Sequence, residues 1–456
     1  MNKIDITPWL AEIGYDTHQD IYPEVAKLSN KLVNEGGFNK ENLETILKEE
    51  GYTPIELQKY RKNAVGVNLF GTIGKDFDHS SYSQLMNAAK LPVATEGALM
   101  PDAHQGYALP IGGVLALENA ISPYFIGFDI ACRMSLTILA MDPDDFKKNR
   151  EALADDLNAV TSFGLGARFE DGKREHELLD RPIWNQINAL RIHKDLAARQ
   201  LGSSGGGNHF ANLMVGEMLI DHPEIPVKKG EEFVAIMTHS GSRGAGHKLA
   251  TWYAKKALQN IRYIARDIPK NYEWLPMDSE LGQEYWKVIQ TMGDYAKANH
   301  ELIHKHFMRR AGIGSKFFTE NHHNFAWKHE DVYIHRKGAT PAHDGQLGLI
   351  GGSVATPSYL TIGKGNEDAL WSCSHGAGRT KSRRQAKDDF NEDLHNKVIG
   401  EKNVLAIGVN KDESFQAYKN IEDVMALQEG ILLDTVAKLE PSVVIMGGGR
   451  SSDDGD

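Results

Sequence analysis

The sequence predicts an α+β protein, a single large mixed α/β catalytic body behind a helical N-terminal extension. Three observations lead there. Short apolar runs bounded by Pro and Gly, such as GGVLAL at 112–117, read as buried strands. Long stretches such as YWKVIQTMGDYAKANHELIHKHFMRRAG at 285–312 carry apolar residues at helical spacing. The 44 glycines bunch at 205–207, 351–352 and 447–449, where loops must turn tightly or let something approach the backbone.

Taken in order, residues 1–65 form the extension. PEVAKLSNKLVNEGG (23–37) and KENLETILKEEGY (40–52) are amphipathic and end near glycine. Residues 66–449 form the catalytic body. YFIGFDIACRMSLTILAM (124–141) reads as buried strand, and EEFVAIMTHSGSRGAGHKLATWYAKKAL (231–258) as strand, glycine loop and helix. Short strands return in DVYIHRKGA, SYLTIGKG, DALWSCSH, NVLAIGV and SVVIMGG. RSSDDGD (450–456) reads as a flexible tail.

Composition narrows the function. A net charge of −11 argues against broad non-specific nucleic-acid binding but permits a local basic groove. Two cysteines, Cys132 and Cys373, make no disulfide framework, and no stretch suits a signal peptide or a membrane span. A cytoplasmic setting without a membrane partner is expected.

Six polar motifs share one design, a strand end or glycine loop bearing His, Asp or Cys. They are MPDAHQGYALPIGG with Asp102 and His104, GFDIACRM with Asp129 and Cys132, and LGSSGGGNHF with Asn208 and His209. MTHSGSRGAGH holds His239 and His247, ENHHNFAWKHE holds His322, His323 and His329, and WSCSHGAGRTKSRRQAK holds His375. Singly, each His or Cys is an ordinary packed residue. Jointly, a carboxylate, a thiol and several imidazoles suit a metal site, zinc by ligand softness, although spacing alone does not separate zinc from manganese or iron. The glycine loop at 241–248 lacks the Ser or Thr that a P-loop places after its lysine. AHDG (342–345) lies in a Pro/Gly-rich loop, unlike a helical His-Asp metal site. His304 and His306 are expected on a solvated helix surface.

Behind His375 stand Arg379, Lys381, Arg383, Arg384 and Lys387. Such cations suit phosphate, Arg379 above all because it sits in the glycine turn. Arg384 and Lys387 also read as the solvated face of a helix starting near Lys381.

In their order these motifs, with HRKGATPAH (335–343) and DESFQAYKNIEDVM (412–425), resemble the RtcB family of RNA-splicing and RNA-repair ligases over about 85–449. The resemblance implies an RtcB-type fold and the joining of 2′,3′-cyclic phosphate or 3′-phosphate RNA ends to 5′-hydroxyl ends. It implies GTP, two manganese ions and a guanylylated histidine. His375 matches that histidine, and Asp102 matches the carboxylate that orients it. Asp129, Cys132, His209, His239 and His323 match metal ligands, with the Cys132 thiolate expected to bridge both ions. Asn208, Arg379 and Tyr418 match nucleotide or phosphate contacts.

Three positions depart from the family pattern. Arg133 stands where a glycine usually follows the cysteine, Asn212 replaces a glutamate that contacts guanine, and Met446 replaces a lysine at the nucleotide. The base, GTP or ATP, is therefore left open. The partner implied is RNA with broken ends; a protein activator and the oligomeric state are also open. A metal-dependent RNA-end phosphoesterase and a non-ligating RNA-end-binding protein stand as alternatives.

Overall fold

The computed structural model describes residues 5–448, apart from 16, 18, 20, 36–39, 55, 165, 170–173 and 263. The tail at 450–456 thus lies outside the described residues. Near the N-terminus, the helices Thr7–Glu12, Tyr22–Glu35 and Lys40–Glu49 enclose a small apolar cluster of Leu10, Tyr15, Val25, Leu43 and Leu47.

The body is built on two sheets. The larger runs, in spatial order, Leu347–Ile350, Ser358–Gly363, Leu433–Met446, Phe210–Met218, Glu232–Ser240, Arg133–Leu139 and Ser315–His322, all antiparallel to their neighbours. Leu405–Ile407 pairs beside it, parallel to Leu433–Met446. The second sheet holds Val67–Leu69, Ala94–His104, Ile111–Glu118, Val332–Lys337 and Asn324–His329.

Side-chain alternation explains how the large sheet is covered. Val234 and Ile236 pack with Phe146, Leu157, Ile303 and Phe307 of the helices Pro143–Val160 and Glu280–Ala311. Ala235 and Met237 face the other way, onto Met134, Leu136, Leu349 and Leu360. The same alternation sends Thr238 toward the long helix and His239 away from it. The expected strand–loop–helix at 231–258 appears as Glu232–Ser240 followed by Arg243–Ile261.

Two expectations are corrected. The run 124–141 is not one strand. Pro123 starts the single helical turn Pro123–Ile126, Gly127 follows at φ +90°, and strand resumes only at Arg133. Cys132 therefore sits in the turn before a strand rather than within one. His304 is not at the surface. It is buried on the stripe of the long helix that carries Ile289, Ala296, His300 and Phe307. Its Nδ1 accepts from the Thr137 hydroxyl at 2.7 Å and its Nε2–H meets Thr238 Oγ at 2.8 Å. His306 is half-buried.

Among the described residues no helix is long and apolar enough to cross a membrane.

These buried rings make stability depend on pH. Burial pushes His304 down to about 3 and His335 down to about 4. His335 Nε2 accepts the Ser122 N–H at 3.0 Å, so the fold needs that ring neutral. The unfolded chain takes up protons below about 6.5, where the folded chain does not. Stability is therefore full above that pH and is withdrawn as pH falls toward 4, by about 3 kcal/mol for His335 alone. The urea midpoint should hold between pH 7 and 8 and fall steadily between 6.5 and 4; a flat midpoint across the acid range would contradict this account.

Candidate active site and metal centre

The candidate ligands meet because four adjacent strands stop at one level. Cys132 precedes Arg133–Leu139, His209 precedes Phe210–Met218, His239 is next to last in Glu232–Ser240, and His323 follows Ser315–His322. Phe210 and Met134 are both paired with His239, and Arg133 is paired with His322. These antiparallel registers fix the four ends side by side.

Cys132 Sγ lies 3.0 Å from His239 Nε2 and 3.4 Å from His209 Nε2. Asp129 Oδ2 is 3.0 Å from His209 Nε2, and His323 Nε2 is 3.2 Å from His239 Nε2. All five residues singled out in the sequence as metal ligands are thus gathered. Of the adjacent pair, His323 joins the group, while His322 stacks on Trp327 at 4.9 Å. Arg133 turns away, with Nη1 on Glu320 at 2.9 Å and Nη2 on the Gly293 carbonyl at 2.8 Å.

The donor set fits a divalent cation. The Nδ1–H of His209 donates to Ser204 O at 2.7 Å, and that of His239 to Asn208 O at 3.2 Å. Each ring then turns a bare Nε2 toward the sulfur. Lone pairs facing one another repel unless positive charge lies between them. The imidazoles resist supplying it as protons. Burial, with His209 and His375 nearby, pushes His239 down to about 3, and burial holds His323 well below the usual range. Burial alone would raise Asp129, but its neighbours His209 and Arg243 bring it down to about 2. Gly241 completes the fit, since a Cβ there would stand 2.1 Å from Asp129 Oδ1.

His375 follows the short strand Ser372–Ser374, which pairs with Ala339–Pro341. The Ala339 N–H donates to His323 O at 3.2 Å, so this ladder is tied to the cluster. The His375 and His323 ring centres are 4.9 Å apart. Asp102, fully buried, accepts at Oδ2 from His375 Nδ1 (2.7 Å), His375 N (3.0 Å) and Gly376 N (3.3 Å). Burial would raise its carboxyl, but the His375 hydrogen bond, with the Lys419 charge, holds it below the usual value. Gly378 is required beside it, at φ +74°, because a Cβ would lie 2.1 Å from Asp102 O.

His375 opens on a cavity of about 690 Å³, lined also by Asn208, Asn212, His239, Arg379, Tyr418 and Met446. Of the five cations behind His375, Arg379, Arg383 and Lys387 converge on Asp412 and Glu413, with Lys387 Nζ 3.9 Å from Asp412, while Lys381 and Arg384 do not. Arg379 Nη2 donates to Asp412 O at 2.9 Å, its Nη1 to Tyr418 Oη at 3.4 Å, and its guanidinium lies over the Tyr418 ring. Arg383 Nη1 pairs with Glu413 at 2.5 Å and Asp412 at 3.1 Å. Lys381 pairs with Asp389, and Arg384, 92% exposed, approaches Asp388. The helix is Arg383–Asp388, capped by Ser382.

Sequence reasoning missed several residues here. Buried Glu413 accepts from Tyr418 Oη as well as Arg383. Arg336, wholly buried, holds the carbonyls of Leu370 and Trp371 ahead of His375. Lys337 Nζ donates to Tyr107 O at 2.7 Å on the cavity wall. The pair Asp412-Glu413 was a visible signal, but nothing local tied it to arginines some thirty residues upstream. Besides His322, the motif histidines His247 and His329 stay out of the centre: His247 lies against Phe128, and His329 against Trp371. His104 lines the cavity without joining the cluster.

Comparison with known proteins places this site in context. The family model described as tRNA-splicing ligase RtcB matches residues 84–447. The tRNA-splicing ligase RtcB of Archaeoglobus fulgidus is 27% identical, over 89% of this chain and the whole of that protein. The RNA-splicing ligase RtcB of Escherichia coli is 28% identical over 82% of this chain and 96% of its own length. The tRNA-splicing ligase RtcB of Thermococcus kodakarensis is 29% identical over 80% of this chain and 90% of its own.

The two cysteines give a clean test of the cluster. Cys373 is buried in the apolar core, where burial pushes its thiol well up. Titration with cobalt(II) should produce a thiolate-to-metal charge-transfer absorption that Cys373→Ala retains and Cys132→Ala abolishes. The opposite pattern would sink the assignment.

Proposed function

The chain belongs to the RtcB family, a family of RNA ligases, and on that premise we propose that it joins RNA ends through a nucleotide carried on His375. RNA ending in a 3′-phosphate, or in a 2′,3′-cyclic phosphate opened first by water, would be joined to RNA with a 5′-hydroxyl. The observation that carries this reading is the Asp102–His375 pair, 2.7 Å long, facing the cavity beside the Cys132–His239–His323 cluster.

His375 can attack phosphorus only as a neutral imidazole with one nitrogen bare. Asp102 meets that need. It holds Nδ1–H, so Nε2, which has no hydrogen-bond partner among the described residues, keeps its lone pair for the cavity. In the first step Nε2 bonds to the α-phosphorus of a nucleoside triphosphate and the bond to the β-phosphate oxygen breaks, releasing pyrophosphate. Asp102 then balances the positive charge that builds on the ring. An oxygen of the RNA 3′-phosphate next displaces the ring, regenerating His375. Finally the 5′-hydroxyl attacks the RNA phosphorus and nucleoside monophosphate leaves, its proton passing to solvent.

Asp129, Cys132, His209, His239 and His323 would hold divalent cations, manganese by family membership and zinc by donor softness. Such ions would supply Lewis-acid neutralisation of phosphoryl oxygens. Asn208 and Arg379 are assigned to phosphate, and Tyr418 to the nucleotide, since all three line the cavity. Asn212 and Met446, on paired strands, line it too. An amide both donates and accepts, so the base, guanine or adenine, is to be read by experiment. The catalytic residues all fall within 66–449, and the extension at 1–65 is assigned no part in the chemistry. Two free cysteines fit a reducing, cytoplasmic setting.

The test uses GTP and ATP labelled at the α-phosphate, with manganese. Label should remain on the protein from at least one nucleotide and be absent from His375→Ala. Asp102→Asn should cut the rate of labelling by about 10²–10⁴-fold. Joined product should require a 5′-hydroxyl acceptor. Failure of both nucleotides to label the wild-type protein would overturn the ligase reading, and nucleotide-free opening of cyclic phosphate without joining would favour a phosphoesterase.

A further inference from the structure

We infer that the exposed face of two packed helices, Asn188–Gln200 and Arg243–Ile261, is a track for the sugar–phosphate backbone of the RNA, running up to the Asp129 side of the metal centre. This rests on RNA being the substrate, as proposed above.

Charge is the first observation. Arg243–Ile261 (RGAGHKLATWYAKKALQNI) contains four basic residues and no Asp or Glu. Asn188–Gln200 (NALRIHKDLAARQ) contains Arg191, Lys194 and Arg199 against Asp195 alone. The whole chain carries −11, so this face runs against the balance of the molecule. Arg243 is spent internally, on Ser203 Oγ and the Gly164 carbonyl. Lys248 and Lys255 stand exposed, and Lys194 and Lys256 half-exposed. None of these four lysines forms an ion pair among the described residues. Unpaired surface lysines on one face attract polyanions, which gain by releasing counterions.

The second observation is apolar. Ile192 (62% exposed), Trp252 (37%) and Leu258 (42%) are three of the large hydrophobic side chains left in solvent, and all lie on these two helices. Positions 248, 252, 255 and 259 share one side of the helix by their spacing. Trp252 thus stands between Lys248 and Lys255, with Lys256 Nζ 5.3 Å from its ring centre. An aromatic ring among lysines is the pattern that takes stacked bases and phosphates of a single strand. The helices share one core, in which Leu190 and Ala197 join Ala245, Leu249 and Tyr253.

Continuity with the site is the third. The Ser242 N–H, at the start of the second helix, donates to Asp129 Oδ1 at 3.2 Å. His247 packs on Phe128, the neighbour of Asp129, with ring centres 5.4 Å apart. From Arg243 to Lys256 the helix rises about 20 Å, room for several phosphates in line. The track therefore begins at the loop that presents the candidate metal ligand.

Binding of a single-stranded RNA ending in 3′-phosphate, followed by fluorescence anisotropy over a range of KCl, tests this. Lys248→Glu/Lys255→Glu should raise Kd at least tenfold at low salt. It should also flatten the slope of log affinity against log salt by about 1.4, two phosphates at roughly 0.7 each. Trp252→Ala should weaken binding roughly fivefold or more with the slope retained. Labelling of His375 without RNA should be unchanged in both variants, which also checks that they fold. Unchanged RNA affinity and slope, with ligation intact, would overturn the track and leave the ligase reading standing. Unchanged RNA binding with altered self-association would overturn it in favour of a protein contact. Wild-type protein that labels His375 yet binds no RNA would also overturn it, whereas absence of labelling strikes the ligase reading itself.

Discussion

The arrangement of this protein depends on a constraint of register. Four neighbouring antiparallel strands stop together, and each places one soft or nitrogen donor at its end. Slipping one strand by a residue would turn its donor to the opposite face, because successive side chains alternate. The fold protects that register with apolar contacts on both faces of the sheet, Ala235 and Met237 on one and Val234 and Ile236 on the other. Packing far from the cluster thereby fixes distances of three ångströms within it.

A second theme is the use of backbone carbonyls to set the chemistry of side chains. Ser204 and Asn208 fix the tautomers of His209 and His239, while Asp102 does the same for His375. Behind His239 the long helix contributes a buried relay: Thr238 Oγ meets His300 Nδ1, whose Nε2–H reaches the Ser240 carbonyl at 3.2 Å. His209, His239, His300 and His375 are each directed by a neighbour, so few rings here are free to reorient. Order of this kind favours binding that needs little rearrangement.

Much of this was legible in the sequence, and the rest was hidden for identifiable reasons. Asp129, Cys132, His209, His239, His323 and His375 stand in strand-end or glycine-loop motifs whose residue types suit a metal site, and the family resemblance singles them out and gives His375 its phosphoryl role. The long helix and the 231–258 strand–loop–helix unit follow from periodicity. The break in 124–141 was signalled by Pro123 and Gly127 but masked by the apolar run around them. His304 reads as polar surface although it shares the buried stripe with Ala296 and Phe307, because its threonine partners come from two distant strands. The resemblance alone picks His323 over His322; the physical reason, a strand that ends at His322, is not local to the motif. The link from Arg379 and Arg383 to Asp412 and Glu413 is a tertiary pairing with no local period to reveal it.

That last pairing bears on how an anion would be sensed. Arg379, Arg383 and Lys387 stand against the two buried carboxylates of Asp412 and Glu413, so most of the positive charge behind Tyr418 is offset and the wall projects little field into the surrounding water. What it offers is a set of aimed N–H bonds, felt only at contact and barely dimmed by dissolved ions. On the readings proposed above, attraction from afar would fall to the unneutralised lysines and discrimination at close quarters to this immobilised cluster.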